Sequence, residues 1–558
     1  MSFEVSQVKR KLVVAIVAAV IIVLAASGAF YLSIPPKPVQ LPTLRIALQS
    51  GFSTLDPANW NSQVDTSIDG QIYDSLWEYN LSMVPNPGLV TSWDVANDSS
   101  TWTLHLRQNV MFHDGTPFNA SAVAFNLDRI RGAAASYYIE AISSWDVVDQ
   151  YTIVLHTSRP FPQLIFHLAA RVTSMVSPSA VAKWGPDFSR HPVGTGPFVF
   201  QEWVEGQYVK LVANPNYWGG TPKIAGVTFM IIPDASARYL ALQSGAIDVD
   251  ANPPVEVLPQ VENSSTVHLI KSVTMRNVAL WFNPYMSPFT DIRVREAIMH
   301  AIDKDAIVAN VLKGYGLEAQ GLFPPLVYGR VPDDTWGPGG AYPYDTSLAK
   351  QLLTQAGWAL KADGFWYNAT GSKLSVVLAS PSGRYLKDTE ISTAVVGYLG
   401  AIGIDATVRT YDSATLFKLV AAHSIPFYLM GWGHDPYPTV DTPALWHSSP
   451  GGGLPPWSAM SSPEMDNILD QIDKTTDPSQ ILTLYAQFEK MAMGMADFYP
   501  VYSAYALYGV YNYVKNLYFL ANEDSYKMTN VTIEKNMAGQ IATPFEFASI
   551  SAIVKDQD

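Results

Sequence analysis

The chain has 558 residues, 48% of them hydrophobic and 15% charged, with a formal net charge of -14 and no cysteine. The missing cysteine excludes disulfides, thiolate metal sites, cysteine nucleophiles and the lipid-bearing cysteine of a bacterial lipoprotein signal. With no Lys/Arg run after residue 42, the chain lacks the basic face that tracks phosphates, which argues against a nucleic-acid partner.

The first element in chain order is an apolar run, Leu12 to Leu32, interrupted by no charge. As a helix it is about 30 Å long, enough to cross a bilayer core. Lys9, Arg10 and Lys11 precede it, so residues 1–11 are expected to stay cytoplasmic and the rest to cross. A cleaved signal peptide is the alternative, because Ser27-Gly28-Ala29 offers a small-residue cut site. Either way the remaining chain is expected outside the cell membrane, extracellular or periplasmic. Residues 33–42 carry Pro35, Pro36, Pro38 and Pro42 and predict an extended, semi-rigid stalk. Six Asn-x-Ser/Thr sequons, at Asn80, Asn97, Asn119, Asn263, Asn368 and Asn530, suit that compartment, although such short motifs arise often by chance.

Beyond the stalk, alternation predicts strands at Thr43–Leu48, Thr101–Leu106 and Thr152–Thr157, and β-branched enrichment predicts another at Val227–Ile232. Helices are predicted after three capping residues. Asn119 precedes Val123, Leu127 and Ile130, Asp291 precedes Val294, Ala297 and Ile298, and Ser347 precedes Leu348, Leu352 and Ala356. Trp336–Pro343 and Ser449–Pro456 are Gly/Pro-rich and predict long surface loops. Strands and helices mixed without strict alternation imply α/β or α+β lobes.

Several further segments stand in a fixed order along the chain. They are Leu55-Asp56-Pro57, Tyr73-Asp74-Ser75-Leu76, Pro87 to Trp93, Trp102 to Arg107, and Val110-Met111-Phe112-His113-Asp114-Gly115-Thr116-Pro117-Phe118. Later come Pro192 to Phe198, Asn214-Pro215-Asn216-Tyr217-Trp218, Leu242 to Asp248, Arg293 to Ile298, and Ala356-Gly357-Trp358. Across roughly residues 43 to 515 this series resembles the family 5 extracellular solute-binding proteins of ABC importers, the dipeptide- and oligopeptide-binding type. Most of it is architecture. Phe112 to Gly115 suits a turn in which Asp bonds its own backbone and Gly takes positive φ, so His113 is expected to be a turn residue and not a metal ligand. Gly194-Thr195-Gly196-Pro197 predicts a sharp crossover, and Val199 stands where a dinucleotide loop needs a third Gly.

The resemblance implies an α/β, periplasmic-binding-protein-like fold of type II, a three-lobed Venus flytrap behind an N-terminal transmembrane anchor. Residues 43–75, 194–283 and 502–545 would form the first lobe, 76–193 an inserted second, and 284–501 the opposing third. A monomer is expected, closing on its cargo and serving permease subunits and their ATPases.

A peptide cargo brings an ammonium, a carboxylate and repeating amides, and either charge is costly to enclose unpaired. Gly431-Trp432-Gly433-His434-Asp435 resembles the family's loop whose carboxylate receives the ammonium. That implies Asp435 as its partner, with Trp432 and Gly431 lining the pocket; a solvated loop aspartate is the plain alternative. Pro436-Tyr437-Pro438 departs from the usual pattern, which places a tyrosine next to the aspartate. Arg384 resembles an arginine that meets the ligand carboxylate, or else makes a surface ion pair. Trp281 and Asn283 would enter the cleft, Trp281 to stack and Asn283 to bond amides, or would pack in the core.

Oligosaccharide, metal-chelate or haem cargo is the alternative within the same transport role, since one fold hosts many ligands. An exported hydrolase or a ligand sensor is more distant. The chain carries no Gly-x-Ser-x-Gly elbow, no His-Glu-x-x-His helix and no Walker loop, so neither an enzyme activity nor a resident cofactor or metal is expected.

Overall fold

The computed structural model describes residues 41–59, 63–437, 441–448, 461–521 and 526–534. The expected anchor, most of the stalk and the Ser449–Pro456 loop lie outside the described residues. Among the described residues, no helix is long and apolar enough to cross a membrane.

The strands used below are β1 Thr43–Leu48, β2 Val90–Val95, β3 Thr101–Leu106, β4 Ile142–Asp149, β5 Thr152–Thr157, β6 Phe198–Val204, β7 Tyr208–Ala213 and β8 Gly226–Ile231. They continue as β9 Val249–Ala251, β10 Val267–Phe282, β11 Gly316–Glu318, β12 Ser375–Pro381, β13 Asp405–Tyr411, β14 Phe427–Gly433 and β15 Phe498–Tyr511. The helices are α1 Gln63–Ile72, α2 Ala120–Arg131, α3 Ile292–His300, α4 Thr346–Gln355, α5 Asp388–Ala401, α6 Pro463–Lys474 and α7 Pro478–Gly494.

A large mixed sheet runs β13-β12-β14-β10-β15-β9-β1-β8-β7-β6, with β11 added on β15. Its centre is the antiparallel pair β10 and β15, of 16 and 14 residues. Along β10, β14 pairs with Arg276–Phe282 alone, and along β15, β9 pairs with Tyr508–Val510 alone. The two long strands therefore join one half-sheet to the other. Between the halves their register slips, between Val273 and Asn277 and again between Val278 and Ala279. Such bulges bend a strand and raise its twist.

The antiparallel sheet β2-β3-β5-β4 stands apart from the large one. In β3 and β5 the predicted alternation holds, with Trp102, Leu104, Leu106, Ile153 and Leu155 buried. α2 adds Val123, Leu127 and Ile130 to the same hydrophobic core, and Asn119 caps it by accepting from Ala122 N–H. Asp291 caps α3 as predicted. The fourth helix corrects the reading: Asp345, not Ser347, is its cap, accepting from both Ser347 and Leu348 N–H groups. The backbone is turned there already, because Asp345 N–H donates to His300 O at 2.8 Å.

Two chain segments connect the four-stranded sheet to the large one, and they cross in contact. Gly196 N–H donates to Ile72 O at 2.9 Å, and a side chain at Gly196 would lie 2.6 Å from the Ile72 carbonyl carbon. Beside them Asp74, 3% exposed, accepts from Thr195 Oγ1 at 2.8 Å, Trp218 Nε1 at 2.8 Å and Tyr217 OH at 2.9 Å. Three of the ordered sequence motifs thus meet on one carboxylate. Burial raises its pKa, with these three hydrogen bonds acting against the rise. His113 ties the same crossing, its N–H donating to Gly194 O at 2.9 Å and its Nε2 lying 3.0 Å from Gly196 O. Burial lowers its pKa and keeps it neutral.

Candidate functional site

β14 ends in Gly431-Trp432-Gly433, and the chain continues through His434 and Asp435. Opposite it lies the loop before α5. Asp388, buried at the start of that helix, accepts from the N–H groups of Gly383 (3.2 Å), Arg384 (2.8 Å) and Tyr385 (3.1 Å) and so shapes the loop. The Tyr385 hydroxyl then donates to Gly431 O at 3.1 Å. Only glycine allows that approach, because a Cβ at Gly431 would stand 2.8 Å from the Tyr385 ring. Arg384 Nε donates to the same hydroxyl at 2.9 Å, and its guanidinium lies 4.7 Å from the Phe417 ring centroid. The structure therefore brings Arg384 and Gly431 together through Tyr385. Among the described residues no carboxylate pairs with Arg384.

Asp435 is half-buried, and Tyr138 donates its hydroxyl to Oδ2 at 3.1 Å. Tyr138 comes from the segment that carries the four-stranded sheet, 297 residues away. It is held from behind by His167, whose Nδ1 lies 2.9 Å from Tyr138 O. Burial pushes the His167 pKa down to about 4, so the ring is neutral and Nδ1–H donates to that carbonyl. Three more contacts continue the seam. Phe166 stacks on Tyr437 with centroids 4.4 Å apart, Gln163 Nε2 donates to Ile472 O at 3.4 Å, and Arg159 pairs with Asp473 of α6 at 2.7 Å. Trp432 is half-buried beside the main hydrophobic core, opposite Asn277 in the β10–β14 register.

Trp281 and Asn283 are not brought to this cluster; of the two readings left open, Trp281 takes the packed one. Trp281 pairs with Tyr428 and Phe282 with Phe427, so both residues lie toward the far end of β14. Asn283, just past the end of β10, is six residues from Asn277, roughly 20 Å at strand spacing. The Trp281 indole is 2% exposed, donates to Met430 O at 3.0 Å and packs among Tyr428, Trp446 and Phe498. Asn283 shapes a turn, donating to His423 O at 3.1 Å and accepting from Tyr285 N–H at 3.0 Å.

Sequence reading missed Tyr138, Tyr385 and Asp388. Only Asp388 left a local trace, as an acidic residue opening a helix. Among the described residues, no group of three or more His, Asp or Glu side chains is placed to hold a metal ion.

Comparison with known proteins agrees with this architecture. The model of the bacterial extracellular solute-binding proteins, family 5 (Middle), matches residues 84–453. The glutathione-binding protein GsiB of Pectobacterium atrosepticum is 29% identical over 453 residues, covering 79% of this chain and 84% of that one. GsiB of Salmonella typhi is 28% identical over 477 residues, 82% and 88% of the two chains. Among solved structures, the oligopeptide-binding protein AppA of Bacillus subtilis with a nonapeptide superposes with TM-score 0.77 at 22% identity, over 89% of this chain and all (100%) of that one. NikZ of Campylobacter jejuni with Ni(L-His) gives 0.76 at 22% identity, over 85% and 95%. The chain belongs to the bacterial extracellular solute-binding proteins of family 5 and is the substrate-binding component of an ABC importer.

Proposed function

We propose that this protein captures short peptides between the segment bearing the four-stranded sheet and the segment bearing β14, and delivers them unchanged to a permease. Asp435 takes the cargo ammonium, Arg384 the carboxylate, and Trp432 and Gly431 line the space between. The observation that carries this reading is the Tyr138–Asp435 hydrogen bond, which sets the carboxylate in a seam between two distant parts of the chain. Support also comes from the Tyr385 bridge, which keeps the guanidinium and the Asp435 strand in one neighbourhood. The relatives are named for glutathione, a tripeptide, and three of the matched structures hold peptides.

In this reading residues 43–75, 194–283 and 502–545 form one lobe, 76–193 a second and 284–501 a third, with closure across the seam. Leu12–Leu32 tethers the monomer to the membrane.

Thermal-shift and calorimetric screening against glutathione, di- to pentapeptides, cello-oligosaccharides and nickel–histidine tests the assignment. A ligand at one hundred times its Kd should stabilise the fold by about 2.7 kcal/mol. D435N should weaken peptide binding 10- to 100-fold, the equivalent of about 1.5–3 kcal/mol for one charge-assisted hydrogen bond. A shift only with oligosaccharide or chelate, indifferent to D435N, would overturn the peptide assignment and leave the transport role standing.

A further inference from the structure

The segment that bears Asp435 lies on another loop, residues 321–331. Phe323 meets His434 edge-on, with centroids 5.3 Å apart. Tyr328 N–H donates to Pro436 O at 2.9 Å, and the Tyr328 ring stacks on Tyr437 at 4.8 Å. Tyr437 is thereby held between Tyr328 and Phe166. Whatever fixes loop 321–331 fixes the floor under Asp435.

That loop is pinned by a carboxylate. Glu489, on α7 and 1% exposed, accepts from Phe323 N–H at 3.2 Å on Oε1 and from Val331 N–H at 2.5 Å on Oε2. Two glycines permit the approach. A side chain at Gly321 would run into Glu489 Oε1 and the Trp336 indole, and one at Gly329, where φ is +82°, would stand 2.8 Å from the Tyr485 ring. Tyr485 lies one turn before Glu489 on the same face of α7 and meets Phe323 and Tyr437 edge-on, at 6.2 and 6.0 Å. From the other side Asn277 Nδ2 donates to Gly321 O at 3.3 Å and Leu322 O at 2.8 Å.

A buried carboxylate is costly, and a leucine would fill the same space without that cost. It would leave the Phe323 and Val331 N–H groups unpaired. The polar side chain is explained by what it holds. We propose that Glu489 is a positioning residue for cargo binding: it pins loop 321–331 to α7, and the loop sets the height and angle of residues 434–437. The proposal rests on the reading that Asp435 faces the cargo.

Hydrogen exchange on the full chain tests the positioning without any ligand. In E489A the amides of Tyr328 and His434 should exchange about tenfold faster, while those of β1 and β8 keep their rates. E489Q, which retains one acceptor, should fall between. Should E489A fail to fold, G329A perturbs the same loop through Tyr485 and should speed the same amides. Glutathione and a tetrapeptide serve as binding probes, with D435N measured in parallel. E489Q should weaken whichever probe binds by about tenfold, through a faster off-rate. Tyr328 and His434 amides that exchange no faster than wild type in any variant overturn the proposal. So does an E489Q protein that binds like wild type while D435N does not. If D435N binds like wild type, or neither probe binds at all, the reading of Asp435 fails instead, and the exchange rates alone decide the role of Glu489.

Discussion

Two aspartates, Asp74 and Asp435, show how differently one residue type is used in this molecule. Asp74 sits where the chain crosses from one sheet to the other, and its donors Thr195, Tyr217 and Trp218 come from segments locked beside it. Asp435 sits on a segment leaving a strand, and its Tyr138 donor reaches it from the far side of a seam. A carboxylate enclosed by donors of its own framework stiffens a joint. A carboxylate met across a seam can couple closure of that seam to whatever else binds it. Burial decides between the two, because a fully enclosed charge must be satisfied before function begins.

The largest effect should separate the two sites by stability. D74A removes a buried carboxylate that holds three donors and should destabilise the fold by about 3 kcal/mol or more, measured by urea unfolding. D435N should cost less than about 1 kcal/mol in the same assay, since its carboxylate is only half-buried. A D435N protein as unstable as D74A would show that Asp435 is also architectural.

Cargo binding should reverse the order, with D435N losing 10- to 100-fold in affinity. R159A should have a smaller effect, a several-fold faster cargo off-rate worth about 1 kcal/mol, because its pair with Asp473 lies on the seam but away from Asp435. That loss should be the same factor for every cargo; a cargo-dependent factor would place Arg159 in the pocket.

A separate test concerns pH. Burial pushes the Glu489 carboxyl up to about 7, against the backbone hydrogen bonds from Val331 and Phe323 that lower it. A folded-state value above the unfolded one, about 4.3, means the proton binds the native state more tightly. The stability it contributes is therefore full below pH 4 and is lost as pH rises through 7. Wild type should lose more stability than E489Q between pH 5 and 8, and equal slopes would contradict the assignment.

Much of the fold could be read locally. The alternation in β3 and β5, the caps Asn119 and Asp291 and the turn at His113-Asp114-Gly115 all follow from residues within a few positions of one another. Where two capping residues stood two apart, as Asp345 and Ser347 do, composition could not choose. The contact with His300 could. For the candidate site, the resemblance named Arg384 and residues 431–435, and the structure links Arg384 to Gly431 through Tyr385. It also named Trp281 and Asn283, which strand register sets apart from that link.

By itself, then, the sequence determined four of the strands, the caps Asn119 and Asp291, the crossover glycines and the family, because short-range sterics and periodic burial act within a few residues. Tertiary structure alone decided that Tyr138 meets Asp435 and that Tyr385 bridges Arg384 to Gly431. It alone decided, too, that Glu489 lies beneath the loop supporting residues 434–437. Partners of Asp435 and Glu489 come from 158 to 297 residues away, and no local periodicity encodes which distant hydroxyl or amide will arrive at a given carboxylate. Only the packing of whole segments, driven by the burial of their apolar faces, sets those pairs.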